Sequence, residues 1–224
     1  MNRVPMSSNP TPGRWNTRLW DISQPLRPSL PVWPGDTAFS TRPRWVISAD
    51  SPVNVASFET STHAGTHADA PLHYDRCGAS AGEVELDAYI GPCQVIDARA
   101  CGDLLTAAFV AGLPDPPSRL LFRTYDRFPH DAWRTQFTAV SAGAIDVLAE
   151  RGVRLIGVDA PSLDPQDSKT MDAHRAVLAA DMRILEGLVL DEVPPGDYEL
   201  IALPLRLTGL DSSPVRAVLR ELRP

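Results

Sequence analysis

Short runs of apolar and β-branched residues recur along the chain, each cut by proline, glycine or aspartate, so the pattern predicts many brief strands with a few interleaved helices. Residues 19–23 (LWDIS) predict a first strand, followed by a proline-punctuated loop, PSLPVWPGD, that turns at Pro34-Gly35-Asp36. Residues 44–48 and 53–62 predict a strand pair across Asp50-Ser51-Pro52. Residues 94–98 and 119–124 predict strands, with a helix between them running from Asp103 as N-cap through Ala111. Ser141 caps a second helix that ends at Gly152, and residues 154–159 (RLIGVD) predict the next strand. A short helix begins near Asp172, and the apolar strand after it carries Glu186. Residues 198–207 predict a long strand interrupted by Pro204, and Ser212-Ser213-Pro214 predict a helix start.

The β-α-β rhythm assigns the chain to the mixed α/β class, a single domain over residues 18–224 whose sheet carries short flanking helices. Residues 1–17, polar and rich in proline and without apolar periodicity, are expected to form a loosely ordered leader. Twenty-two prolines in 224 residues favour sheet and loop over a helical bundle. A net charge of -7 without a basic cluster argues against nucleic acid as a partner. The sequence has no apolar run long enough to span a membrane and no signal peptide, which predicts a cytoplasmic protein. Cys77, Cys93 and Cys101 are odd in number and lack CxxC spacing, so they are expected as reduced thiols.

The chemistry concentrates in His63 to His73, HAGTHADAPLH, which holds three of the five histidines and one aspartate. His63, His67, Asp69 and His73 all fall on odd positions and would share one face of a straight strand. At about 3.3 Å per residue, His63 and His67 would then stand some 13 Å apart, too far for one ion bound at roughly 2 Å from each imidazole. The segment must therefore bend; one helical turn brings such positions within about 6 Å, and Gly65 permits a tight turn. Asp69 can offer one oxygen to each of two ions, so a binuclear site is open to it. His73 lies beyond Pro71 and is better placed as a catalytic base than as a third imidazole ligand.

Later in the chain, His174 is the one remaining histidine with carboxylates nearby, and Glu186 on its apolar strand is costly to bury unless paired or bound to metal. The set of imidazoles and carboxylates suits zinc, though manganese or iron(II) would also accept it. Gly78 to Gly82 (GASAG) matches the GxSxG pattern of a serine nucleophile, but no apolar strand precedes Ser80 and no helix follows. Asp159 and Asp164 border a turn in which carboxylates commonly bond backbone amides. His130 is read as structural, and Trp33, between two prolines, either plugs a core edge or stacks on a substrate.

HAGTHADAPLH resembles the HxGTHxDxPxH signature of the cyclase-like metal-dependent hydrolases, among them the kynurenine formamidases, and the turn GVDAPSLDP and the C-terminal tail are similar too. The resemblance implies a β/β/α arrangement and a homodimer. It implies that His63, His67, Asp69, His174 and Glu186 hold two zinc ions, Asp69 and Glu186 bridging them, and that His73 is the general acid/base. It further implies that Trp33 lines the pocket and that the substrate is N-formyl-L-kynurenine, cleaved to L-kynurenine and formate. Hydrolysis of another small amide or lactone of the isatin kind, a serine hydrolase using Ser80, and a non-catalytic metal-binding module are the alternatives.

Overall fold

The structure, a computed structural model, describes residues 17–222. Apart from Thr17, the leader expected over residues 1–17 lies outside the described residues. The strands and helices follow in the order β1 (Leu19–Asp21), β2 (Ser40–Trp45), β3 (Val55–Glu59), β4 (His67–Asp69), β5 (Ile90–Asp97), β6 (Leu104–Leu105) and α1 (Ala107–Ala111). Next come β7 (Arg119–Arg123), β8 (Ala139–Val140), α2 (Ala142–Glu150), β9 (Leu155–Val158) and α3 (Asp172–Ala179). The chain closes with β10 (Arg183–Glu186), β11 (Gly196–Ile201), β12 (Ser212–Pro214) and β13 (Val218–Glu221). This is the mixed α/β architecture that the apolar pattern predicts.

Among the described residues, nine strands form one mixed sheet in the order β1-β13-β11-β5-β7-β9-β10-β4-β12. The centre, β5-β7-β9-β10, is parallel, and antiparallel strands extend it on both sides. Parallel strands need both faces covered. In β7, Leu120 and Phe122 pack with Ile145, Leu148 and Val177 of α2 and α3, whereas Leu121 points into the opposite core with Val95, Leu185 and Leu219. The strand β10 splits in the same way, Ile184 to one core and Leu185 to the other. Gly157 marks where the layers touch: a Cβ there would lie 2.4 Å from a Leu121 methyl.

The structure corrects three sequence expectations. The first helix starts at Ala107 with Thr106 as N-cap, its side chain accepting the Phe109 N–H, because Leu104 and Leu105 are drawn off to pair with β8. The strand expected over 198–207 stops at Ile201, three residues before Pro204. The expected C-terminal helix is instead the pair of strands β12 and β13. Val215, Ala217 and Leu219 are buried while Arg216 and Arg220 are exposed, a period of two that overrides the helix-forming alanine, leucine and arginine.

Candidate metal centre

The strand β4 is the spine of the site. Its register places His67 opposite Glu186 of β10 and opposite Pro214 of β12, and Asp69 opposite Ser212. Alternation sends His67 and Asp69 to one face while Ala68 joins the core on the other. His63 reaches the same face because the chain bends before β4 at Gly65, whose φ is +72°. The bend is a run of turns rather than a helical turn, and it brings the His63 and His67 rings to 5.1 Å. Pro71 opens a short 3-10 turn, Pro71–His73, that brings the His73 ring to 4.2 Å from that of His63.

All six chemistry-bearing residues expected from sequence meet here. His67 Nε2 lies 3.4 Å from Asp69 Oδ1 and 3.3 Å from Glu186 Oε2. His63 Nδ1 lies 3.1 Å from Asp69 Oδ1. His174 Nε2 stands 3.5 Å from Asp69 Oδ2 and 3.6 Å from Glu186 Oε1. Two groups are tight enough to hold an ion each, one of His67, Asp69 and Glu186 and one of His63, Asp69 and His73, with Asp69 common to both. Neither group joins His63 with His67, as the expected sharing of one ion has it, and His73 belongs to one of them.

The donor atoms fit a cation on two counts. First, among the described residues His67 Nε2 and both oxygens of Asp69 are buried without a hydrogen-bond partner, a state that costs about 1–3 kcal/mol per group and that a cation would relieve. Second, the opposite nitrogen of His67 lies 2.9 Å from the Gly65 carbonyl; donation there fixes the tautomer that leaves Nε2 free to ligate. His174 is set likewise by Asp164, 2.6 Å from its Nδ1. Burial opposes charge on Asp69, Glu186 and His174, yet the carboxylates and imidazoles around them offset it. Asp69 is held well below the usual carboxylate range by His174 and His63, Glu186 is lowered by His174 and His67, and His174 is raised well above an ordinary histidine. The field of the carboxylates is one that attracts positive charge.

Sequence reasoning passed over Asp211, whose Oδ2 lies 3.0 Å from His63 Nε2 and 3.5 Å from His73 Nδ1. With Asp69 on its other nitrogen, His63 is pushed up to about 9 despite its burial. Asp211 sits directly before β12, so the strand that replaced the expected helix is also what carries it to the site. Asp164 accepts the N–H groups of Ala173 and His174 as well, capping α3 from a distant loop. Glu186 Oε1 accepts the Leu163 N–H.

His63, His67, His73, His174 and Glu186 line the floor of a cavity of about 540 Å³. Trp33 lines its wall, edge-on to Trp133 at 5.4 Å between ring centres, and Tyr125 and Phe128 extend the aromatic lining. Trp133 is fixed by its indole N–H, which donates to Gln166. The loop bearing these aromatics is tied down by Asp159, which accepts from the Thr124 and Tyr125 amides, and by Asp191, which accepts from that of Phe128. Ser80 does not line the cavity; its hydroxyl donates to Glu83 at 2.6 Å, an arrangement of a local cap rather than a nucleophile. His130 packs on Phe128, and its carbonyl accepts from Arg27.

The profile of the Cyclase family matches residues 20–165. A kynurenine formamidase from Sphingopyxis alaskensis is 58% identical over 207 residues, 92% of this chain and 99% of that protein. Another kynurenine formamidase, from Erythrobacter litoralis, is 56% identical over 92% of this chain and 94% of its own. Among solved structures, a potential metal-dependent hydrolase with cyclase activity superposes with a TM-score of 0.80 at 28% identity, covering 93% of this chain and all of that one. Isatin hydrolase A from Ralstonia solanacearum superposes with a TM-score of 0.79 at 26% identity, over 97% and 100% of the two chains.

Proposed function

We propose, on the premise that the chain belongs to the Cyclase family, that it is a zinc-dependent formamidase hydrolysing N-formyl-L-kynurenine to L-kynurenine and formate. The observation that carries the chemistry is the pair of buried carboxylates, Asp69 and Glu186, facing three imidazoles while both Asp69 oxygens lack a hydrogen-bond partner. The observation that carries the substrate is the high identity to kynurenine formamidases over nearly the whole chain. Two zinc ions would be held by His63, His67, Asp69, His174 and Glu186, with Asp69 shared; imidazole and carboxylate without thiolate suit that metal. Bound metal supplies Lewis acidity, which polarises the formyl carbonyl and acidifies the attacking water.

The protein's own groups do the rest. Asp211 beside His73 Nδ1 favours the tautomer with its proton there, leaving Nε2 to take a proton from water as its oxygen bonds to the formyl carbon. The same nitrogen returns that proton to the arylamine as the carbon–nitrogen bond breaks. Trp33 and Trp133 offer faces and edges against which an aryl ring packs. Walls of proline and tryptophan exclude bulk water and strengthen the electrostatics of the floor. Replacing His73 by asparagine is expected to abolish most turnover while zinc content, read by metal analysis, is retained.

Hydrolysis of a cyclic amide such as isatin is a second reading, favoured by the superposition on isatin hydrolases; parallel assays on isatin and N-formyl-L-kynurenine discriminate the two. We also place the protein in the cytoplasm as a homodimer. Three free thiols suit that compartment. The dimer is supported by the hairpin β2–β3, which among the described residues pairs only with itself and leaves Trp45 61% and Phe58 65% exposed, with Val46 and Ile47 beside them. Sedimentation of the wild type against Trp45→Ser/Phe58→Ser tests it: a dimer that becomes a monomer supports the arm, and a monomeric wild type overturns it.

A further inference from the structure

The cavity's charged lining is unbalanced. Asp36, Asp159 and Glu186 contribute carboxylates, whereas Arg134 is the one arginine or lysine among its described lining residues. Arg134 follows Trp133, which is anchored twice, by its hydrogen bond to Gln166 and by its edge contact with Trp33. The guanidinium is thus delivered to the cavity from a fixed backbone position next to the aromatic wall. Its charge is felt by Tyr125, another lining residue. Among the described residues Arg134, an exposed side chain at the cavity's edge, makes no ion pair and no side-chain hydrogen bond; other arginines share that, but none of them lines the cavity.

A cation left without a partner at the aromatic end of an acid-lined cavity is placed to receive an anion. Planar, permanently charged and able to donate two parallel hydrogen bonds, guanidinium matches a carboxylate better than an ammonium does. We infer that Arg134 is a specificity residue that binds the α-carboxylate of an arylamide bearing an amino acid side chain, while the Trp33–Trp133 wall packs on the ring. The inference rests on the formamidase reading above. It gives the two ends of the substrate separate recognition: metal ligands and His73 at the formyl group, Arg134 at the carboxylate.

The test compares two substrates, N-formyl-L-kynurenine and 2-formamidoacetophenone, which keeps the aryl ketone and formamide but has no amino acid. For Arg134→Ala, the ratio of kcat/KM between the charged and the neutral substrate is expected to fall about tenfold or more, mainly through KM, as for loss of a hydrogen bond to a charged group. Arg134→Lys, which keeps the charge without the fork, is expected to recover part of that ratio. An unchanged ratio, whether both substrates suffer equally or neither does, overturns the inference while leaving the formamidase reading standing. A wild-type enzyme that hydrolyses neither substrate takes both down.

Discussion

Asp164→Asn isolates the contribution of a residue that touches no metal. Its carboxylate, almost wholly buried, accepts three hydrogen bonds: from the amides of Ala173 and His174, each at 3.1 Å, and from His174 Nδ1 at 2.6 Å. Burial opposes its ionisation, yet the bonds from His174 and Ala173 hold it below the usual range, so it is charged at neutral pH. The amide replacement keeps one oxygen and turns an NH2 toward donors. Helix α3 has no side-chain cap from its own N-cap residue, Met171, whose side chain carries no oxygen to accept the first N–H groups. Losing the cap contributes about 1 kcal/mol, and losing the charged bond to imidazole contributes about 1.5–3 kcal/mol. The sum of roughly 2.5–4 kcal/mol corresponds to about 5–16 °C in Tm for a chain of this size. Orientation of His174 is a separate loss, of about 10–100-fold in zinc affinity or activity. Calorimetry of the metal-free protein reads the first effect, and competition for zinc with a chromophoric chelator reads the second. If Asp164→Asn binds zinc as tightly as the wild type, Asp164 does not set His174, and the reading of that contact is refuted.

Ser80→Ala is expected to leave kcat/KM unchanged and to lower stability by about 1 kcal/mol, the worth of the bond to Glu83; loss of turnover would revive a serine mechanism. Gly78→Ala puts a Cβ 2.5 Å from the Pro71 carbonyl carbon and 2.7 Å from the Leu72 nitrogen. The backbone that carries His73 must then move, so about 1–3 kcal/mol of stability and most activity are expected to go, read by urea unfolding and by turnover. Trp133→Ala is expected to raise KM severalfold through loss of about 1 kcal/mol of aromatic contact. Burial outweighs the hydrogen bonds from Thr124 and Tyr125 to raise Asp159 from an ordinary 3.8 to about 6. The fold therefore binds that proton more tightly than the unfolded chain does. The resulting stability is full below about pH 4 and is lost as pH rises through 6, by up to about 3 kcal/mol. Urea unfolding of the wild type against Asp159→Asn at pH 4 and pH 7 checks this: the difference between the two proteins should shift across that window.

The six residues that converge at the site were legible as a group because their types are few and their chemistry excludes blander uses. Three histidines clustered around an aspartate, and a glutamate inside the apolar run RILEGLVL, stand out against their surroundings. The register that joins them was not legible, because pairing of β4 with β10 and β12 brings together residues more than a hundred positions apart. Asp211 was hidden for a local reason as well: the segment after it combines helix-favouring residues with a period-two burial pattern that only the neighbouring strands make decisive. Asp164 was visible as a turn carboxylate, but its partner, the N-terminus of α3, could not be read from spacing. Trp33 was legible beside its PGD turn, whereas Trp133 and Arg134 lie in a stretch without periodicity and are placed by a loop that Asp159 and Asp191 hold.

The most direct test of the central claim follows N-formyl-L-kynurenine hydrolysis by absorbance, on protein as purified, after exhaustive chelation, and after stoichiometric zinc is returned. Turnover that vanishes on chelation and returns with about two zinc ions per chain is the expected result. Turnover that persists in protein shown by metal analysis to hold no metal would contradict it.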